Sequence, residues 1–310
     1  MGINSKYLKV SNNHSIFVET IGKNNNPAII YLHGGPGNGC EEKHQKLFDP
    51  SLHFGILIDQ RGCGRSLSKL SKTKENSTWD LVEDIEKVIN DLKLKKVTIL
   101  GSSWGTTLAL CFAIKYPKRV NRLILKSIFL ARESDRKWLY SKDGLAKLLP
   151  VQWEEFIKDH PDSSANELVN SYFTKYTAEK NRSNKNHLLK QWYDWHGAAY
   201  FYPQENLNKE DNSFINSEFA QNTFFLESYY ELNNYFFSDT NFILNNINNI
   251  NQIDVNIIHG EKDFICPKSQ ATDFQQAHNK CQVNIIPNCG HGSNPESNII
   301  VQNILKGIKS

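Results

Sequence analysis

The stretch Val97-Thr98-Ile99-Leu100-Gly101-Ser102-Ser103-Trp104-Gly105 decides how this chain is read. An apolar run of buried-strand type leads straight into G-x-S-x-G, and a helical pattern follows. That is the layout of a nucleophile elbow, a sharp strand-to-helix turn that lifts one serine out at the strand's end. Gly101 and Gly105 give the backbone its freedom and let the following helix come close. A motif this short arises by chance in about one chain in ten of this size, so its weight comes from what surrounds it.

Similar short apolar runs recur on both sides: Ala28 to Leu32, Gly55 to Asp59, Leu123 to Leu125, Val255 to Ile258 and Val283 to Ile286. Most are rich in β-branched residues and alternate little, as parallel strands covered on both faces do. Leu81, Val82, Ile85, Val88, Ile89 and Leu92 fall at helical spacing, with Ser77 and Asp80 placed for a capping box. Tyr7 to Val10 and Ser15 to Val18 read as an opening antiparallel hairpin. Strand and helix alternating in this way predict an α/β fold with a mostly parallel, doubly wound sheet. The alternation stops near Phe129 and resumes near Asn251. The segment between reads as helical and holds four of the six tryptophans, Trp138, Trp153, Trp192 and Trp195. It is expected to be an inserted helical cap domain, 129–242, on a core domain formed by 1–128 and 243–310, with its aromatic residues roofing the serine. Asn241 to Gln252, rich in asparagine, reads as a connector.

A serine hydroxyl attacks only when a base takes its proton, and the base needs an acid to fix its tautomer. Behind an elbow of this kind the chain order is Ser, then Asp or Glu, then His. Asp263 follows the run Val255 to Ile258, and His291 follows Val283 to Ile286, each in the loop at a strand's carboxyl end, where open α/β sheets bind ligands. The expected catalytic residues are therefore Ser103 as nucleophile, His291 as base and then acid, and Asp263 as its orienter. Ser102 precedes the apex, His259 reads as a packed histidine, and Asp254 lies at the wrong end of its strand. Asp239 is the other carboxylate that could orient the base, from the helical side. His33-Gly34-Gly35-Pro36-Gly37 follows the run Ala28 to Leu32, and its bare backbone suits an oxyanion hole whose donors are the N–H groups of Gly35 and Trp104.

These residues, with Asp59-Gln60-Arg61-Gly62-Cys63-Gly64-Arg65-Ser66 and Thr78-Trp79-Asp80-Leu81-Val82-Glu83-Asp84-Ile85-Glu86, resemble the proline iminopeptidases (prolyl aminopeptidases) from Tyr31 to Pro295. The resemblance implies an α/β-hydrolase fold with a helical cap, no metal or other cofactor, and release of an N-terminal proline from peptides. It gives Ser103, Asp263 and His291 the same roles. It also implies that Glu227 holds the substrate's ammonium group. The family's second acid falls in a Trp-Glu-Gly step, and here the chain reads Trp195-His196-Gly197. Glu231, one helical turn beyond Glu227, is expected either to replace that acid in part or to face solvent. Phe129 matches an aromatic that packs on the proline ring, and Trp138 and Tyr140 fall in a matching Trp-x-Tyr segment. Around Asp263, Glu261-Lys262 replaces the usual Arg-Tyr.

A net charge of +3 with dispersed basic residues argues against nucleic acid or an acidic membrane as partner. No apolar stretch reaches bilayer length. The N-terminal segment has no signal-peptide core and Lys6 breaks the myristoylation pattern, so a cytoplasmic protein is expected. The six cysteines show no metal-like or C-x-x-C spacing and read as small packing residues. The expected partner is a peptide or small molecule with a free amino end. An esterase or amidase acting on a neutral small molecule, and a non-catalytic binding protein of the same fold, are the alternatives. The departure at His196 favours the first of these, and the intact motifs disfavour the second.

Overall fold

The computed structural model describes residues 2–160, 163–203, 212–292 and 294–308. Its strands are β1 (Ile3–Lys9), β2 (His14–Ile21), β3 (Ala28–Leu32), β4 (Phe54–Asp59), β5 (Leu67–Ser68), β6 (Val97–Ser102), β7 (Val120–Lys126), β8 (Asp254–Gly260) and β9 (Cys281–Ile286). The helices of eight residues or more are α1 (Thr78–Asp91), α2 (Trp104–Lys115), α3 (Glu133–Tyr140), α4 (Pro150–Ile157) and α5 (Ala165–Ala178). They continue with α6 (Arg182–Phe201), α7 (Glu218–Leu232), α8 (Ser269–Ala277) and α9 (Pro295–Lys306).

The strands form one sheet in the order β1-β2-β4-β3-β6-β7-β8-β9, with β5 on β2. β1, β2, β4 and β5 pair antiparallel where β2 is a partner, and from β4 to β9 every pairing is parallel. Side chains of successive residues leave a strand on opposite faces, and both faces are covered. Ile30, Leu32, Ile56, Ile58, Ile99 and Leu123 join a core with α1 and α2. Their neighbours Ile29, Tyr31, Leu57, Leu100 and Ile124 join a second core with Val301 and Leu305 of α9. Burial on both faces explains why these runs are continuously apolar. β9 departs from that pattern, with burial alternating along part of its length, because it is the last strand and has a partner on one side only.

Ser77 caps α1 through a capping box with Asp80, and the helix buries Leu81, Val82, Ile85, Val88 and Ile89 on one face. α2 is buried from Trp104 to Ile114, as a helix enclosed on all sides must be. Between β7 and β8 the described residues contain helices and turns only, with their own apolar cluster running from Tyr140 to Phe224. α7 spans both regions: Ala220 and Phe224 belong to that cluster, whereas Tyr230 packs into the core of the sheet. The asparagine-rich stretch is not a plain connector. Ile243, Ile247 and Ile250, at helical spacing, are buried against the same core on two short helical turns.

Candidate active site

Ser103 sits between β6 and α2 with φ 53 and ψ −124, a backbone conformation that costs a non-glycine residue on the order of 1–3 kcal/mol. The turn is held by Ser103 N–H on the Lys126 carbonyl at 2.9 Å and by Thr106 N–H on the Ser103 carbonyl at 2.8 Å. It can be this tight because a Cβ on Gly105 would stand 2.1 Å from the Leu32 carbonyl oxygen, and one on Gly101 would stand 2.4 Å from that of Gly105. Any side chain at either glycine would push α2 off the sheet.

His291 Nε2 lies 3.1 Å from Ser103 Oγ, and His291 Nδ1 lies 2.9 Å from both carboxylate oxygens of Asp263. Asp263 is 2 % exposed. Burial works against its charge, yet the facing His291, the nearby His259 and the Cys266 amide hold its carboxyl below the usual range. An ionised Asp263 requires Nδ1 to carry the hydrogen, which leaves Nε2 to accept from the serine. The two loops are stitched together: Lys262 N–H donates to the Cys289 carbonyl at 2.8 Å and Glu261 N–H to the Ile286 carbonyl at 2.9 Å. The end of α6 presses on the histidine loop, with the Tyr200 ring edge-on to His291 at 5.5 Å. His259 is fully buried, with Nε2 donating to the Cys266 carbonyl at 2.7 Å. Asp239 bonds Asn241 and Asn245 in its own segment. Donor atoms of Asp263, Cys266 and His291 lie within 4.8 Å of one another, although the Asp263 and His291 atoms already bond each other, and burial pushes the Cys266 thiol well up.

Gly35, at φ +113, adopts a conformation that glycine supplies without strain. Its loop lies beside the elbow, since a Cβ on Gly34 would be 3.3 Å from that of Ser103. Trp104 opens α2, so its amide has no partner within the helix. Gln60 binds the two parts together, a role that its place in the motif after β4 had not disclosed. Its side chain accepts from the Trp104 indole at 2.9 Å and donates to the His33 carbonyl at 3.0 Å, and its N–H meets His33 Nε2 at 3.1 Å. The glycine loop and the start of α2 are thereby held side by side at the elbow.

On the helical side, Glu227 is reached by the Trp192 indole at 3.4 Å. Burial, reinforced by Glu231, pushes its carboxyl up to about 8. His196 has Nδ1 on the Trp192 carbonyl at 2.8 Å and Nε2 at 3.0 Å from the Tyr140 hydroxyl, and burial lowers its pKa to about 4. It is a neutral imidazole with both nitrogens occupied. Glu231 overturns one of the two expectations placed on it, that it faces solvent. It is 4 % exposed, so it does not face solvent, and its carboxylate is 2.5 Å from Arg136 and bonded by the Tyr235 hydroxyl. Arg136 was not singled out by any local pattern, because it comes from α3, 95 residues away. Phe129 packs edge-on to Tyr235 at 5.4 Å, and the Trp138 indole donates to the Phe264 carbonyl at 2.9 Å, beside Asp263.

A model of the α/β hydrolase fold family matches residues 27–297. The chain is 34 % identical over 290 residues to a proline iminopeptidase of Arabidopsis thaliana, covering 93 % of this chain and 74 % of that protein. It is 32 % identical over 294 residues to one of Xylella fastidiosa, covering 94 % and 92 %. Among solved structures, an esterase from Exiguobacterium antarcticum aligns over 97 % of this chain and 98 % of its own with a TM-score of 0.66 at 19 % identity, a likeness of fold. With an elbow serine, a facing histidine and carboxylate and relatives at this level of identity, the chain belongs to the α/β-hydrolase fold family and, within it, to the proline iminopeptidases.

Proposed function

We propose that the protein is a serine aminopeptidase that releases an N-terminal proline or small residue from peptides. The observation that carries this reading is the relay from Asp263 through His291 to Ser103, at 2.9 and 3.1 Å, beside a glycine loop. Ser103 Oγ attacks the carbonyl of the first residue while His291 Nε2 takes its proton. The Gly35 and Trp104 amides hold the oxyanion. His291 returns the proton to the leaving amine, and a water then clears the acyl-enzyme by the same route. Glu227 accepts the free amino end. The supporting relatives carry the name proline iminopeptidase. We place the reaction in the cytoplasm. Among the described residues no helix is long and apolar enough to cross a membrane.

One observation favours a second reading, an esterase or amidase acting on a neutral molecule. His196 is uncharged and Glu231 is already paired, so Glu227 alone faces the amine. Prolyl, alanyl and N-acetylprolyl arylamides, set against a simple acyl ester, separate the two. Preference for the free-amine prolyl substrate is expected, and Ser103→Ala should lose about 10⁴-fold or more in kcat. Ester turnover indifferent to an amine would establish the second reading.

A further inference from the structure

The helix that carries Glu227 also grips the loops around Ser103. Asn222 of α7 donates through Nδ2 to the Gly62 carbonyl at 2.8 Å and the Gly37 carbonyl at 3.4 Å, and accepts through Oδ1 from Lys72 Nζ at 2.6 Å. All three contacts agree on the amide's orientation, because a flipped group would aim its oxygen at two carbonyls and its NH₂ at an ammonium. Thr223 backs it up: a Cβ on Gly37 would stand 2.7 Å from the Thr223 Cα. A turn further on, Leu226 closes on Gly62, whose Cβ would lie 3.4 Å from Leu226 Cδ1. Gly37 is two residues from Gly35, and Gly62 is two residues from Gln60, which ties the glycine loop to Trp104.

We propose that Asn222 is a positioning residue that sets the distance between the amine-holding Glu227 and the oxyanion loop, so that α7 acts as a ruler for the span from ammonium to scissile carbonyl. This rests on the aminopeptidase reading. An α-amino acyl group has one carbon between its amine and carbonyl, and one more methylene moves the carbonyl by about 1 Å, enough to cost on the order of 10²-fold in rate. The glycine loop keeps its own shape through His33 and Gln60, so loss of Asn222 releases its registration with α7 rather than its conformation.

The test compares an L-prolyl arylamide, its homologue with one extra methylene between amine and carbonyl, and p-nitrophenyl acetate, which has no amine. Asn222→Asp keeps the Lys72 partner but turns an anionic oxygen on two carbonyls, and Asn222→Ala removes all three contacts. In each variant the preference for the α-amino substrate should fall about tenfold or more, through kcat, with acetate hydrolysis within about threefold of wild type and an unchanged melting temperature. A preference that survives in both folded variants, or equal losses on acetate and prolyl substrate, overturns the ruler alone. A wild-type enzyme that splits the acetate but no free-amine arylamide overturns the aminopeptidase reading, and the ruler with it.

Discussion

Glu227 holds its proton up to about 8, first because its half-buried setting strips water from the charge and then because Glu231 is near, so at neutral pH the free protein keeps this carboxyl largely neutral. An arriving ammonium reverses that balance by favouring the charged form. KM for a prolyl arylamide should therefore fall as the pH rises from about 7 to about 8, since binding no longer has to expel a proton. Glu227→Gln should remove this dependence and raise KM roughly 10- to 100-fold, the worth of a hydrogen bond to a charged group. Stability follows from the same proton. The folded carboxyl binds it more tightly than the unfolded one, so its contribution is complete below the unfolded value and is lost as the pH climbs through about 8. Melting curves should show the glutamine variant gaining on wild type between about pH 5 and pH 9, by about 2–4 °C for each kcal/mol involved. At this scale the sequence disclosed residue types well and pairings poorly. Glu231 stands one turn from Glu227, as its spacing says, but the cation that neutralises it arrives from α3, which no local pattern could announce.

The turn from β6 into α2 stores strain at Ser103, where φ is 53, and glycine adopts that conformation freely. Ser103→Gly should be inactive and yet more stable than Ser103→Ala by about 1 kcal/mol, measured by urea unfolding. The elbow was legible because three of its parts are local: an apolar strand, two glycines and an apolar helix. The parallel strands were legible for the same reason, since burial on both faces writes itself as a continuous apolar run. β5 was not, because two residues, Leu67 and Ser68, have no period to read. The asparagine-rich segment misled because its polar majority concealed Ile243, Ile247 and Ile250, whose helical spacing is the packed face.

Across the molecule, the loop after β4 is moored to α1 by Arg61, whose guanidinium meets both oxygens of the buried Asp84 at 2.6 and 2.7 Å. Asp84→Ala leaves that buried cation only Asp80, at 3.4 Å, and the Glu75 carbonyl, and should cost about 3 kcal/mol in chemical unfolding, with activity falling as the loop that carries Gln60 loosens. The gathering of Ser103, Asp263 and His291 could be anticipated because parallel strands deliver their carboxyl ends to one edge. How α3 to α7 pack could not, since helices joined by turns carry no register. α7 has one further consequence. Phe224 is rooted among the helices between β7 and β8, while Tyr230 stands against Trp104, the residue after the nucleophile, at 5.2 Å. The two apolar clusters therefore cannot be inherited as separate modules: a chimaera that borrows a relative's α7 also imports its neighbour for Trp104, and swapping specificity between homologues means rewriting both clusters together.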